Sequence, residues 1–123
     1  MDDAAGLLVI VDAANVVGSV PDGWWRDRRG AAERLRDRLA AEGLPDRSGP
    51  AEIVLVTEGA ARGVDSVPGV RVDPAPGSGD DRVVALVAEA GDRPVLVVTA
   101  DRELRRRVTS LGAEVAGPRA VRR

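Results

Sequence analysis

Apolar residues fall in short unbroken runs, separated by longer stretches in which they recur every third or fourth position. Leu7 to Val11 is such a run, ending at Asp12, and it reads as a strand buried on both faces. Pro21-Asp22-Gly23 marks a turn. From about Trp24 to Ala41 the pattern is helical, with Ala31, Ala32, Leu35 and Leu39 on one face and Arg, Asp and Glu on the other. Gly43 and Pro45 stop that helix. Ile53 to Thr57 is a second buried strand, and Val70 to Val72 a short third. The Pro and Gly residues of Asp73 to Gly79 make a loop. Asp80 and Asp81 open a second helix through about Ala90, which carries Val83, Val84, Leu86 and Val87. Val95 to Val98 forms another buried strand. Asp101 opens a third helix with a stripe of Leu104, Val108 and Leu111, ended by Gly112. Ala113 to Ala116 is a last short strand, after which Gly117-Pro118 releases an Arg-rich tail, 118–123.

Apolar strands alternating with amphipathic helices predict an α/β fold with a mainly parallel sheet between helical layers. At 123 residues the chain suits one domain, with its core over about 7–117. Such sheets bind ligands beyond the carboxyl ends of their strands, where strand order reverses. The residues that follow each strand are therefore the ones to examine.

Composition narrows the chemistry. There is no His, Cys, Tyr or Phe, and all 18 basic residues are Arg. This excludes a Ser-His-Asp triad, a thiol nucleophile and an ordinary zinc site. The absence of Lys excludes a Walker A loop, Schiff-base catalysis and the kinase phosphate-binding Lys, and argues against a receiver-like phosphorylation domain, which normally uses a Lys. An enzyme built from this chain must use carboxylates, hydroxyls, Asn, Arg, backbone groups and metal ions. The net charge of −2 is not that of a strongly basic nucleic-acid binder. The Met-Asp-Asp start lacks the basic region and apolar core of a signal peptide, and no apolar run approaches membrane-spanning length; a cytoplasmic protein is expected.

Carboxylates recur at the strand ends. Asp12 follows the first strand, Glu58 the second and Asp101 the fourth, while Asp80 and Asp81 stand at the mouth of the helix leading into the fourth. If the first and fourth strands are neighbours, Asp12 and Asp101 meet at the switch point, with Glu58 opposite and Asp80 or Asp81 completing a ring. Clustered like charges raise one another's pKa, and Mg²⁺ or Mn²⁺ relieves the conflict. Such ions can activate water and stabilise a phosphodiester transition state without His. Each acid also has a plainer role open to it. Asp12, Asp80, Asp81 and Asp101 suit helix caps, and Glu58 suits a solvated loop. Asn15, three residues past Asp12, can orient Asp12 or a water, or stabilise a turn. Thr99 can donate to an acidic neighbour or serve as a β-branched strand residue. Gly77-Ser78-Gly79 can admit a phosphate to backbone N–H groups at a helix start, or simply punctuate a loop.

In order, VDAANV, then GSGDD before a helix, then VVTADREL resemble the motifs of PIN-like nucleases, particularly the NYN and YacP-like branch. The resemblance spans about residues 7–117. It implies a Rossmann-like three-layer sandwich of strand order 3-2-1-4-5, bound divalent metal and hydrolysis of RNA phosphodiester bonds. By position Asp12 and Asp101 match the central acids, Asp81 (or Asp80) the helix-start acid and Asn15 the accompanying Asn. Thr99 falls in the Thr-x-Asp motif. The chain is short for the family, and the only acid close behind Asp101 is Glu103.

RNA must also be gripped. Arg binds phosphate through two parallel bonds and stacks on bases. Arg62, Arg102 and Arg105, together with Ser78, are the substrate-binding candidates; solvated helix faces are the alternative for the arginines. Trp24 and Trp25 are the only aromatic residues. Adjacent helix positions point about 100° apart, so one ring can bury while the other stacks on a base or fills a homodimer contact. The expected protein is thus a Mg²⁺- or Mn²⁺-dependent ribonuclease. Its rivals are a nucleotide phosphohydrolase of the NTP pyrophosphohydrolase type and a non-catalytic RNA-binding module.

Overall fold

A computed structural model describes residues 6 to 45, 47 and 49 to 121. Five parallel strands, β1 (Leu7–Asp12), β2 (Ala51–Thr57), β3 (Val70–Pro74), β4 (Val95–Val98) and β5 (Glu114–Ala116), lie in the order β3-β2-β1-β4-β5. Four α-helices flank them: α1 (Ala13–Gly18), α2 (Arg28–Glu42), α3 (Gly79–Glu89) and α4 (Arg102–Thr109). The expected strand order and parallel sheet are both present.

The layering follows from strand alternation. Val9 and Val11 of β1 point to one side, where Val16 of α1 and Ala32, Leu35 and Leu39 of α2 join them in one core. Leu8 and Ile10 point to the other, onto Val83, Leu86 and Val87 of α3 and Leu104 and Val108 of α4. Both faces of β1 are buried, which is why its sequence is apolar from Leu7 to Val11. No helix among the described residues is long and apolar enough to cross a membrane.

Several boundaries differ from expectation, each for a local reason. The helix expected from Trp24 is a 3-10 turn over Trp24–Arg26, then a break at Asp27, whose carboxylate accepts the Gly30 N–H and caps α2. Gly43 ends α2 with φ 63°, a conformation that disfavours any side chain. α1 was not anticipated; it is six residues long and carries no apolar period of its own. Asp73 is not in a loop. β3 runs on to Pro74, and Asp73 is buried with both carboxylate oxygens on Arg82, at 2.8 and 2.9 Å. Leu111 lies beyond the end of α4 and is exposed. The tail is not released at Pro118. Residues Pro118–Ala120 form a 3-10 turn, and Val121 returns to the core beneath α2. Arg122 and Arg123 lie outside the described residues.

Candidate active site

β1 lies between β2 and β4, at the switch point of the sheet. Asp12 continues the Leu8–Ile10 row past the last apolar residue, and Thr99 continues the Val95–Val97 row of β4 beside it. The two side chains meet: Thr99 Oγ1 donates to Asp12 Oδ2 at 3.0 Å. The same Oγ1 accepts the Asp101 N–H at 3.1 Å. Asp12 is also the N-cap of α1, its Oδ1 accepting the Asn15 N–H. The Asn15 side chain reaches across the sheet edge, and its Oδ1 accepts the Ala100 N–H at 2.8 Å. β1 and β4 are therefore tied at their carboxyl ends by two cross-strand bonds, both from residues singled out in the sequence.

Asp12 is almost fully buried. Burial pushes its carboxyl up to about 6; the Thr99 and Asn15 hydrogen bonds pull it down, while the Asp80 and Glu58 charges push it further up. Asp80 is raised as well, first by burial and then by Asp101 and Glu58, with Arg107 opposing. Asp12, Glu58, Asp80 and Asp101 thus share one electrostatic neighbourhood.

Glu58 is fixed by a backbone contact. Its Oε1 accepts the Gly79 N–H at 2.6 Å, across from β2 to the first residue of α3. A Cβ at Gly79 would overlap the Glu58 carboxylate, which would then have to shift. Ser78 caps α3 by accepting the Asp81 N–H at 3.1 Å, so its hydroxyl serves the helix. Asp101 caps α4 by accepting the Leu104 N–H at 2.9 Å. Cap and site are not exclusive: each of these carboxylates has a second oxygen.

The structure separates the two helix-start acids. Asp80 belongs to the acidic group, whereas Asp81 is exposed and pairs with Arg107 at 3.1 Å. A helical step of about 100° per residue accounts for this. Glu103 is likewise turned away, paired with Arg106, which holds its carboxyl below the usual range. Among the arginines, Arg105 donates from Nε to the Thr99 carbonyl at 2.8 Å and so braces the end of β4. Arg62 is exposed and donates to the Gly59 carbonyl, and Arg102 is exposed at the start of α4. Arg107 is not among the arginines that the sequence singles out; only the packing of α4 against α3 brings it to the acids.

Among the described residues, no group of three or more acids is disposed to hold one metal ion jointly. The Asp80 and Glu58 charges act on Asp12, and the Asp101 and Glu58 charges act on Asp80.

No family model and no curated protein matches the sequence. Among solved structures, the chain is similar to a variant of Rae1 (YacP) from Bacillus subtilis, with a TM-score of 0.66 at 17% identity. The match covers 92% of this chain and 70% of that one. At this identity the likeness is one of architecture: the chain has a YacP-like fold.

Proposed function

We propose that the protein is a divalent-metal-dependent ribonuclease acting at the carboxyl edge of β1 and β4. The observation that carries this reading is the buried Asp12, raised to about 6, with Asp80 and Glu58 adding to its charge burden. Desolvating a carboxylate among like charges costs stability unless a cation offsets it. The YacP-like fold, together with the resemblance of VDAANV and VVTADREL to PIN-like nuclease motifs, supports this reading.

The donor set fits Mg²⁺ or Mn²⁺ of one particular kind. Mg²⁺ usually takes one or two protein carboxylates and completes its shell with water and substrate phosphate oxygens. Asp12 and Asp80 would be those carboxylates, with Glu58 and Asp101 acting through water. When bound, such an ion supplies Lewis-acid stabilisation of a phosphoryl oxygen and lowers the pKa of water. Thr99 and Asn15 fix the Asp12 carboxylate and the Ala100 backbone. Glu58 sets the start of α3, and so the place of Asp80. Arg62, Arg102 and Arg107 supply positive charge around the acidic edge for the phosphates that flank the scissile bond.

The test is incubation of the protein with labelled single-stranded RNA, structured RNA and free NTPs, in Mn²⁺, Mg²⁺ or EDTA. Metal-dependent RNA cleavage that Asp12→Asn abolishes supports the proposal. NTP hydrolysis with RNA left intact would replace it with the nucleotide phosphohydrolase. RNA binding without turnover of any substrate would leave a binding module.

A further inference from the structure

Next to the acidic edge, on the α1 and α2 side of the sheet, lies a pocket of about 140 Å³. Ala13 and Ala14 of α1, Trp24, Arg28 of α2, Glu58 and Gly59 line it. Ala13 is bonded directly to Asp12, and Glu58 belongs to both the pocket and the acidic group, so the two share a wall. The volume suits one aromatic ring; an apolar cavity of roughly 150 Å³ takes up benzene.

The walls are of three chemistries. The methyl groups of α1 give an apolar floor. Trp24 is half-buried, and the Arg28 guanidinium sits 5.5 Å from its ring centroid. Glu58 is the one acidic residue of the lining, and its Oε1 accepts the Gly79 N–H. A flat apolar ring edged by N–H donors complements all three, and a nucleobase is such a group. Trp25, by contrast, stands edge-on to Trp24, is 52% exposed and does not line this pocket.

We infer that this pocket seats one unpaired nucleobase of the RNA strand whose neighbouring phosphate lies at the acidic edge. The inference rests on the ribonuclease reading for the strand, and on the pocket alone for the base. A base stacked and paired within a duplex presents neither face to such a pocket; only one splayed out of the stack can enter. Arg28 lines the pocket from α2, and Arg62 follows the lining residue Ala61; both are exposed and supply positive charge for the flanking phosphates. The consequence is a preference for single strands over duplexes, set by Trp24 and by the space in front of Ala14.

The experiment is equilibrium binding of the full chain in EDTA, so that no strand is cleaved. The probes are a labelled unstructured octaribonucleotide, the same sequence as a duplex, an abasic ribose-phosphate octamer, and a nucleoside monophosphate as competitor. The single strand is expected to bind at least about fivefold tighter than the abasic octamer or the duplex, as base–aromatic stacking of usual strength requires. Trp24→Ala and Ala14→Leu should each remove most of that margin and leave abasic binding unchanged. Ala14 is exposed, so Ala14→Leu fills the pocket from its solvent side without disturbing the core. Equal binding of abasic and base-bearing strands by the parent, or full binding by Ala14→Leu, would overturn the inference. Competition by the monophosphate at the octamer's own affinity would overturn the RNA strand as occupant in favour of a free nucleotide. A base-dependent margin in a protein that cleaves no RNA in Mn²⁺ sinks the nuclease reading alone; cleavage without the margin sinks the base pocket alone.

Discussion

Thr99 Oγ1 stands 3.0 Å from Asp12 Oδ2 and 3.1 Å from the Asp101 amide, so a single hydroxyl joins the ends of β1, β4 and α4. Thr99 is completely buried and Asp12 almost so, so loss of the hydroxyl leaves a buried Asp12 oxygen without its partner. Thr99→Val keeps the shape and removes both bonds, which should cost about 1–3 kcal/mol of stability. Under the proposed function it should also weaken divalent-metal affinity by roughly 10- to 100-fold, the usual effect of deleting a group that orients a ligand. Thr99→Ser should restore both quantities. Chemical denaturation and Mn²⁺ titration of the pair measure them; a fully active, fully stable Thr99→Val protein would remove Thr99 from the site.

Adjacent acids at the start of α3 should behave differently. Asp80 lies among the acids, and Asp81 pairs with Arg107 at the surface. Asp80→Asn should abolish metal-dependent cleavage. Asp81→Asn should change it only a few-fold, since an exposed ion pair is worth about 1 kcal/mol or less. The reverse ranking in an RNA cleavage assay would mean that α3 presents its other face to the substrate.

Gly79 and Glu58 should be coupled. In Gly79→Ala the new methyl displaces the Glu58 carboxylate and breaks its bond to the helix amide. The expected cost is about 1–2 kcal/mol. In a Glu58→Ala background the same substitution should be neutral or stabilising, because Ala is the better helix former. A double-mutant cycle by urea denaturation reads this directly; equal costs in both backgrounds would show that the two residues do not interact.

The raised Asp12 carboxyl gives the metal-free protein a defined pH response. Below the unfolded value near 3.8 the folded and unfolded chains both hold this proton. Between that value and about 6 the folded chain keeps the proton that the unfolded chain releases, so stability from this group falls as pH rises and is lost above about 6. The shift corresponds to roughly 3 kcal/mol. Asp12→Asn should therefore raise stability at pH 7.5 by about 1–3 kcal/mol in EDTA, and the gain should vanish near pH 4. Thermal unfolding at the two pH values tests this; an Asp12→Asn protein less stable than the parent at pH 7.5 would contradict it.

Much of the edge was legible because strands in a parallel sheet announce their ends. Leu7 to Val11 and Val95 to Val98 are apolar on both faces, so the first polar residues beyond them, Asp12 and Thr99, had to lie at the sheet edge. The i, i+4 spacing of Leu35 and Leu39 likewise fixed the buried face of α2. What stayed hidden depended on contacts distant in sequence. The choice between Asp80 and Asp81 turns on Arg107, 26 positions further along. The burial of Asp73 turns on Arg82, which neutralises a carboxylate that looked like loop polarity. The short α1 had only its cap, Asp12, to mark it, and that residue was already claimed by the site. The Nε bond of Arg105 to the Thr99 carbonyl likewise depends on how α4 folds back over the end of β4.

The central claim is that the carboxylates around Asp12 hold a divalent cation. Electron paramagnetic resonance of Mn²⁺ titrated into the purified protein at pH 7.5 tests it most directly. The parent should bind Mn²⁺ at a site that Mg²⁺ displaces, and both Asp12→Asn and Asp80→Asn should lose it. No saturable binding by the parent, or undiminished binding by Asp12→Asn, would contradict the claim.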